Sequence, residues 1–340
     1  MATQEHLNYR ATIFMQRVKT LLPGIMVSTT VGMAALFLSE HYGAPAMLFA
    51  LLLGIAMSFL HHGTQCKLGI EFTASTVLRI GVALLGLRIA FGDVLALGWK
   101  TGLLLVVAIM STILLGVVLA KAFGLQKRFG VLTGGAVGIC GASAAMAIAA
   151  VLPDSKDKDR DTLLTIIGVT ALSTMAMVIY PIIAGILGLD ETATSIFLGG
   201  TIHDVAQVVG AGYSVSEQTG VLATLTKLVR VALLMPVVLC ILLVMRMNLD
   251  KTNHGKAPGV PFFLIVFVIL MSINSMVALP EALTKISSDI SRFALVIAIA
   301  AIGMKSNLSQ LLTVGFKPIL LLVLETLWIA GLILLCIPYL

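Results

Sequence analysis

The chain has 340 residues, of which 59% are hydrophobic and 11% are charged, and its formal net charge at pH 7 is +6. With a mean hydropathy of +1.07, it has too few polar groups to cover a water-soluble surface of this size, so the composition excludes a soluble globular protein. The positive charge does not predict a nucleic-acid partner, because the basic residues gather in the segments that connect apolar runs.

Eleven apolar runs are long enough to cross a hydrocarbon core of roughly 30 Å as helices. They lie at about 21–38, 46–60, 73–92, 101–121, 131–152, 162–188, 192–211, 219–246, 260–280, 290–304 and 318–338. None shows the strict alternation of polar and apolar residues that is typical of outer-membrane β-strands. We therefore predict an all-α polytopic membrane protein with ten or eleven transmembrane helices. Of these, the glycine-rich runs 131–152 and 192–211 are expected to be broken or re-entrant.

The basic residues predict the topology. Residues 1–20 are expected in the cytoplasm and residues 21–340 in a single transmembrane domain, because Lys and Arg gather in alternate loops. Arg10, Arg17 and Lys19 before the first run are also typical of a secretory signal, but the run is longer than a signal core and leads directly into the next. The mixed run DSKDKDRD at 154–161 then lies outside, and a re-entrant segment would reverse the orientation of the later spans.

The chain repeats itself. Residues 83–107 align without gaps to residues 300–324, an offset of 217, and the matched pairs are Gly86 with Gly303, Arg88 with Lys305, Gly98 with Gly315, Trp99 with Phe316 and Lys100 with Lys317. Seven apolar runs separate the copies, so the copies would point in opposite directions. This pattern predicts the inverted repeat that is typical of secondary transporters.

Two glycine-rich segments share a design. TGGAVGICGASAAMAIAA and GGTIHDVAQVVGAG each begin near a glycine pair, and the pairs are only 65 residues apart, so the segments need not be equivalent members of the repeat. A half-helix beginning at each pair would direct free N–H groups at a ligand. The alternative is close helix packing through small residues. The candidate substrate-binding residues are Gly134, Gly135, Cys140, Gly141 and Ser143 in the first segment, and Gly199, Gly200, Thr201, His203 and Gln207 in the second.

Within the second segment, His203 and Gln207 are four residues apart and share a helix face. The near-neutral titration range of histidine suits proton coupling, although a packing histidine is the structural alternative. Asp204 faces elsewhere and is a candidate for ion coupling. Thr201 and Asp204 also fit a capping box, in which Asp204 would only satisfy backbone donors at a helix start.

The helix TGVLATLTKLVRVALLMPVVLCILLVM places Lys227 and Arg230 on one face, with Arg230 close to mid-span. A charge at the bilayer centre costs about 2.5–3.5 kcal/mol or more, which predicts a functional role for the pair, although Lys227 could snorkel to an interface. Arg79, Arg88, Lys305 and Glu325 also lie in or beside predicted spans. Because cations outnumber carboxylates inside the spans, we expect a small anionic substrate bound by Lys227 and Arg230.

The sequence predicts no cofactor, metal or enzymatic site. Cys66, Cys140, Cys240 and Cys336 form no Cys-x-x-Cys pair, and His61-His62 near Cys66 is better explained as a solvated loop than as a metal site. No Walker motif or hydrolase motif is present. An intramembrane enzyme using His203 and Asp204, an anion channel, and a scaffold or sensor are the alternatives to transport.

Three motifs together resemble one family. TGGAVGICGASAAMAIAAVLP, GGTIHDVAQVVGAG with the following TLTKLVRVALLMP, and AIAAIGMKSNLSQLLTVGFKP are similar to the YeiH family of bacterial inner-membrane proteins, whose provisional class name is sulfate exporter. That family is similar to transporters with inverted repeats and crossed, broken helices. The resemblance implies a multi-pass protein of the bacterial inner membrane. We expect a secondary transporter of a sulfate, sulfonate or carboxylate anion, coupled to H⁺ or Na⁺, with a homodimer as one option.

Overall fold

The computed structural model describes residues 2–42, 46–62, 64–87, 92, 97–153, 157–248, 262–277, 279–306 and 316–340, and these residues contain helices but no strand. The helices are α1 Ala2–Tyr42, α2 Ala46–Ala56, α3 Lys67–Phe72, α4 Leu78–Leu85, α5 Gly98–Ala122, α6 Lys127–Gly138, α7 Ala142–Val151, α8 Lys158–Ile186, α9 Glu191–Thr201, α10 Val205–Val215, α11 Glu217–Ala232, α12 Leu234–Asn248, α13 Phe262–Met276, α14 Glu281–Lys305 and α15 Phe316–Cys336. A π-helical turn at Thr73–Val77 joins α3 to α4.

Seven helical stretches in the described residues are long and apolar enough to cross a membrane: Val18–Tyr42, Lys67–Leu85, Gly98–Ala122, Arg160–Ile186, Glu217–Val244, Ala282–Lys305 and Phe316–Tyr339. The other four predicted runs coincide with shorter helices, because two of them are interrupted and α2 and α13 have only 11 and 15 residues. The chain is thus an all-helical, multi-pass membrane protein, as predicted. The interruptions of runs 131–152 and 192–211 were also predicted correctly.

The helices group into two compact units, and the single transmembrane domain over residues 21–340 stays a prediction. The first unit contains α1–α4 and α14. Its helices approach closely through glycine: a methyl group on Gly54 of α2 would lie 2.3 Å from the carbonyl oxygen of Ala300 and 2.9 Å from the Cα of Gly303 on α14. Such contacts between small residues drive helix association where no hydrophobic effect operates between helices.

The second unit contains α5–α13 and α15. In it, α6 packs on α5 along a stripe of glycines four residues apart. A methyl group would lie 2.2 Å from the carbonyl oxygen of Gly116 if added to Gly130, and 2.7 Å from the Cα of Ile113 if added to Gly134. This close packing fixes the end of α6, where the first chain break begins.

Helices α5 and α15 run antiparallel, and a lysine at the start of each bonds the far end of the other. Lys100 Nζ lies 3.1 Å from the carbonyl oxygen of Tyr339 and 3.2 Å from that of Leu340, while Lys317 Nζ lies 3.0 Å from that of Phe123. Lys100 and Lys317 are matched positions of the predicted repeat. Residues 88–91, 93–96 and 307–315 of that repeat lie outside the described residues, so the inverted repeat stays a prediction.

Candidate functional site

The first chain break separates α6 from α7. Two carbonyl oxygens near the end of α6 accept hydrogen bonds from residues of the break. The N–H of Ile139 donates to Gly135 at 3.1 Å, and that of Gly141 donates to Ala136 at 2.8 Å. Gly141 then turns the chain with φ 65° and ψ −126°, a conformation that strains residues with a Cβ. The carbonyls of Val137, Gly138 and Ile139 therefore need partners from elsewhere.

The second break separates α9 from α10. Ile202 is extended and its N–H donates to Leu198 at 3.1 Å. The N–H groups of His203 and Asp204 both donate to the hydroxyl of Ser173 on α8, at 3.2 and 3.1 Å. This leaves the carbonyl oxygens of Gly199 and Ile202 pointing away from their own helix.

Arg230 on α11 supplies the missing donors to both breaks. Its guanidinium is fully buried and makes five hydrogen bonds to backbone carbonyls, which matches the five N–H groups that arginine has. The acceptors are Gly138 (3.0 Å from Nε and 2.6 Å from Nη2), Val137 (2.9 Å from Nη2), Gly199 (3.2 Å from Nη1) and Ile202 (3.3 Å from Nη1). A cation at two helix C-termini also offsets their negative dipole ends.

Lys227, one turn earlier on α11, joins the two breaks directly. Its buried Nζ donates to the carbonyl oxygens of Ile139 at 2.7 Å and Ile202 at 2.8 Å. An ammonium has three N–H groups, so these two bonds leave one N–H for a ligand. Lys227 also interacts electrostatically with Asp204 and with Cys140.

The charges at the breaks do not cancel. The C-terminal ends of α6 and α9 offset about one of the two positive charges, since each end carries roughly half a charge, and the N-terminal ends of α7 and α10 restore about one. The Asp204 carboxylate removes one more. The region of Lys227 and Arg230 therefore keeps a surplus of roughly one positive charge.

His203 lies at the second break with its side chain fully buried. The Thr326 hydroxyl on α15 donates to Leu322 at 2.8 Å, so its oxygen accepts from His203 Nε2 at 3.0 Å. Nδ1 has no hydrogen-bond partner among the described residues, although the carbonyls of Val137 and Thr201 interact with the ring. Lys227 and Arg230 also interact electrostatically with the ring, so a proton added to Nδ1 would meet both carbonyl oxygens and positive charge.

Gln207 presents a free acceptor in the same region. The Thr174 hydroxyl donates to Thr170 at 2.9 Å, so its oxygen accepts from Gln207 Nε2 at 2.8 Å, and this fixes the orientation of the amide. Gln207 Oε1 is buried without a hydrogen-bond partner in the described part of the chain. It can accept a hydrogen bond from a ligand.

Asp204 is the N-cap of α10, and its Oδ1 accepts from the N–H of Ala206 at 2.9 Å. This confirms the predicted capping role in kind, with Asp204 rather than Thr201 at the cap position. The start of α7 differs, because Gly141 offers no side-chain cap. Ala142 is half-buried and Ser143 is exposed there, and no side-chain cap bonds the first N–H groups of α7.

The structure corrects the predicted role of the glycine pairs. The second halves of the broken helices begin at Ala142 and Val205, not at the pairs. Gly134 and Gly135 lie within α6, and Gly199 and Gly200 within α9, where they pack: a methyl group on Gly199 would lie 2.4 Å from the carbonyl oxygen of Ala223, and one on Gly200 would lie 2.7 Å from the Ile333 side chain. All four glycines thus pack closely within their helices, and their part in substrate binding stays a prediction.

The remaining predicted residues converge on the two breaks. A methyl group on Gly141 would lie 3.5 Å from His203 Cβ, so the breaks touch. Cys140 is buried at the first break, and the Thr201 hydroxyl donates to the carbonyl oxygen of Phe197 in its own helix, 2.6 Å away. Ser173, Thr174 and Thr326 could not be recognised from the sequence, since a threonine or serine in an apolar helix carries no signal of its long-range partner.

The described residues hold no group of three or more His, Cys, Asp or Glu side chains that could bind a metal ion. His61, the weak metal candidate, instead places Nε2 3.2 Å from Glu71 Oε1. Burial lowers the His61 pKa from 6.5, against the opposing effect of Glu71.

Known proteins are similar to this chain over most of its length. Residues 23–322 match the model of a family described as conserved hypothetical protein 698. A UPF0324 membrane protein of Chlorobaculum tepidum is 52% identical, over 94% of this chain and 89% of its own. One of Rhizobium meliloti is 54% identical over 95% and 94%, and the UPF0324 membrane protein TauZ of Paracoccus pantotrophus is 50% identical over 92% and 94%.

Among solved structures, the chain matches the sodium proton antiporter MjNhaP1 of Methanocaldococcus jannaschii. The match covers 93% of this chain and 98% of that one, with 13% sequence identity and a TM-score of 0.28.

Proposed function

Because the chain belongs to the family of conserved hypothetical protein 698, whose relatives are named UPF0324 membrane proteins, we propose that it is a secondary transporter of a small anion. The substrate class is a sulfate, sulfonate or carboxylate. The resemblance to the YeiH family, drawn from three motifs, is consistent with this membership. As a multi-pass helical protein with bacterial relatives, it is assigned to the inner membrane.

One observation carries the proposal: two buried cations, Lys227 and Arg230, meet at the junction of two broken helices. Broken helices at a midplane site are the usual means by which transporters expose backbone groups to a substrate. The anion would lie at the uncapped start of α7, against the N–H groups after Gly141 and the remaining N–H of Lys227. Ser143 and Gln207 add polar contacts at its edge.

The two cations then have different roles. Lys227 has a donor to spare and contacts the anion directly. Arg230 uses all five N–H groups on carbonyls. It therefore holds the two breaks together and attracts the anion through its positive charge without a direct contact. This division refines the expectation that both side chains bind the anion.

His203 is the proposed proton-coupling group. It is buried beside the site, one ring nitrogen is free of a partner among the described residues, and an imidazole can bind a proton and carry a positive charge. A protonated His203 would also favour an anion next to it. Sodium coupling through Asp204 is the alternative, and it is the weaker one because Asp204 Oδ1 is engaged at the start of α10.

The geometry gives an intramembrane enzyme little support. His203 bonds Thr326 through Nε2, while Asp204 bonds the backbone of α10. A general-base histidine is normally oriented by a third group and hydrogen-bonded to a nucleophile. The Thr326 hydroxyl donates to Leu322 rather than to His203, and no described side chain bonds Nδ1 to orient the ring.

Flux measurements on purified protein test the proposal. Proteoliposomes loaded with unlabelled sulfate should take up labelled sulfate by exchange. When inward and outward pH gradients are imposed in separate experiments, one of the two should drive net accumulation. A small sulfonate and a small carboxylate should be tested as competitors in the same assay. A channel would let sulfate equilibrate without exchange or accumulation, and no flux of any of the three anions would refute the anion assignment.

A further inference from the structure

Glu325 lies midway along α15 with its carboxyl group fully buried. Oε1 is 2.8 Å from the hydroxyl oxygen of Thr133 on α6. Oε2 is buried and has no hydrogen-bond partner among the described residues. The proposed transport mechanism does not use this group.

The carboxyl group occupies a notch that two glycines create between α5 and α6. A methyl group on Gly116 of α5 would lie 2.3 Å from Glu325 Oε1 and 2.4 Å from the carbonyl oxygen of Gly130 on α6. Any side chain at Gly116 would therefore expel the carboxyl group or separate the helices.

The hydrogen count at Thr133 indicates where the proton resides. Thr133 has one hydroxyl hydrogen but lies within bonding distance of the carbonyl oxygens of Phe129 (3.0 Å) and Gly130 (3.4 Å) as well as of Glu325. If Glu325 is protonated, it donates to Thr133, and Thr133 donates to its own helix. If Glu325 is ionised, the Thr133 hydroxyl must donate to it instead of to its own helix. The second carboxylate oxygen then stays buried without a donor, and burying an unpaired charged oxygen costs far more free energy than burying an unpaired carbonyl oxygen.

No charge in the described residues compensates an ionised Glu325. It forms no ion pair there. The titratable side chain of His203 bonds Thr326, the next residue on α15. The other titratable side chains described on the packed elements show no electrostatic interaction with Glu325. They are Lys100, Lys121, Lys127, Arg128, Lys158, Arg160, Asp161, Tyr180, Glu191, Tyr339 and, on α15 itself, Lys317.

We propose that Glu325 and Thr133 form a buried proton-binding site, in which Glu325 carries a proton in this conformation and releases it when its carboxyl group leaves the notch. On release the carboxyl O–H bond breaks, the proton passes to water, and the carboxylate is left to be protonated again from the other side of the membrane. The site is separate from His203 but adjacent to it.

The neighbours of Glu325 connect it to both sides of the anion site. Thr133 lies one turn before Val137, whose carbonyl Arg230 holds at 2.9 Å. Thr326, the next residue on α15, holds His203 at 3.0 Å. Movement of the carboxyl group out of the notch would thus shift α6 and α15 relative to the chain breaks. As a means of coupling, this inference rests on the proposed transport function, whereas the proton site itself does not.

Infrared difference spectroscopy of the protein in lipid tests the proton directly. At neutral pH the wild type should show the C=O band of a protonated carboxylic acid that Glu325→Gln lacks, and raising the pH should remove this band. The variant should fold, because glutamine has the shape of the neutral acid and can bond Thr133. Glu191→Gln, at an exposed glutamate that starts α9, is the matched control and should keep the band.

A second variant keeps the glutamate. Thr133→Val removes the hydroxyl while retaining the side-chain shape, so the Glu325 band should shift in frequency. Thr112→Val, at a buried threonine of α5 whose hydroxyl bonds only its own helix at Ala108, 2.7 Å away, should leave the band in place. Identical carboxylic-acid spectra for wild type and Glu325→Gln would overturn the proposal, as would a band that no pH or Thr133→Val change affects.

Flux separates this inference from the proposed function. Glu325→Gln should keep sulfate exchange and lose accumulation driven by a pH gradient. Absence of flux in the wild type would refute the transport proposal and leave the infrared result valid. Normal gradient-driven accumulation by Glu325→Gln would refute the coupling role of Glu325 alone.

Discussion

Ile139 and Ile202, the first residues after α6 and α9, are held together by one ammonium group, since Lys227 Nζ lies 2.7 Å and 2.8 Å from their carbonyl oxygens. The two chain breaks are therefore a single structural unit. Any change that moves one break relative to the other must strain these two bonds or those of Arg230.

Replacing Lys227 by methionine tests its direct role at the anion site. Lys227→Met keeps the length of the side chain but leaves the carbonyl oxygen of Ile139 without its donor, at a cost of roughly 1–3 kcal/mol. We expect a folded protein with a lower melting temperature and sulfate affinity reduced about tenfold or more, which corresponds to about 1.4 kcal/mol. Lys121→Met, at an exposed lysine of α5, is the control. Unchanged affinity in Lys227→Met would remove Lys227 from the binding site.

Arg230→Lys separates the effect of the positive charge from that of the hydrogen bonds that hold the two breaks together. Lysine keeps the positive charge but has three N–H groups instead of five, so at least two carbonyl bonds are lost, at roughly 1.5–3 kcal/mol each for bonds to a charged group. We expect a larger fall in melting temperature than for Lys227→Met, with the affinity of the folded fraction for sulfate close to that of the wild type. A melting temperature equal to that of the wild type would contradict the framework role.

Gly141 tests the conformation of the first break. Gly141→Ala places a Cβ at φ 65°, which costs about 1–3 kcal/mol because a non-glycine residue is strained there. The contact itself is tolerable, since the new methyl group would lie 3.5 Å from His203 Cβ. Gly185→Ala, which meets no atom within 4 Å on α8, is the control. We expect lower stability and flux only in Gly141→Ala, measured by thermal melting and sulfate exchange.

Two glycines of one helix test the notch around Glu325. Gly116→Ala would force its methyl group into Glu325 and the backbone of Gly130, and overpacking of this kind costs about 1–3 kcal/mol or more. Gly102→Ala in the same helix meets no atom within 4 Å and should stabilise α5 by up to about 1 kcal/mol. The melting temperatures of the two variants are compared under the same conditions. Equal values would mean that α5 and α6 can move apart to accommodate the methyl group at no measurable cost in stability.

The helical fold could be predicted because hydrophobicity and length determine which segments cross a membrane. All eleven predicted runs fall on helices where the structure describes them, and glycine content marked the two that are broken. The positions of the breaks could not be predicted, because glycine serves two purposes that look alike in sequence. Gly130, Gly134 and Gly138 recur every four residues to pack on α5, whereas only Gly141 at the described breaks has the backbone conformation that requires glycine.

The sequence also indicated that the cost of burying the charges of Lys227 and Arg230 must be offset by an interaction or a function, but it could not identify their partners. Arg230 bonds carbonyl oxygens that lie 28 to 93 residues away, and every residue has a carbonyl, so no side-chain pattern marks them. Glu325 was recognised only as an ionisable group near a span. Its site depends on Gly116 and Thr133 from two other helices.

Flux by His203→Gln tests the central claim, that the breaks form an anion site whose histidine is linked to protons. Glutamine keeps a polar group of comparable reach but cannot carry a positive charge. In proteoliposomes the variant should still exchange internal for external sulfate and should lose both the pH dependence of transport and accumulation driven by a pH gradient. Gln207→Ala should lower sulfate affinity and keep the pH profile of the wild type. Transport by His203→Gln with an unaltered pH dependence would contradict the account and direct attention to Asp204 and sodium.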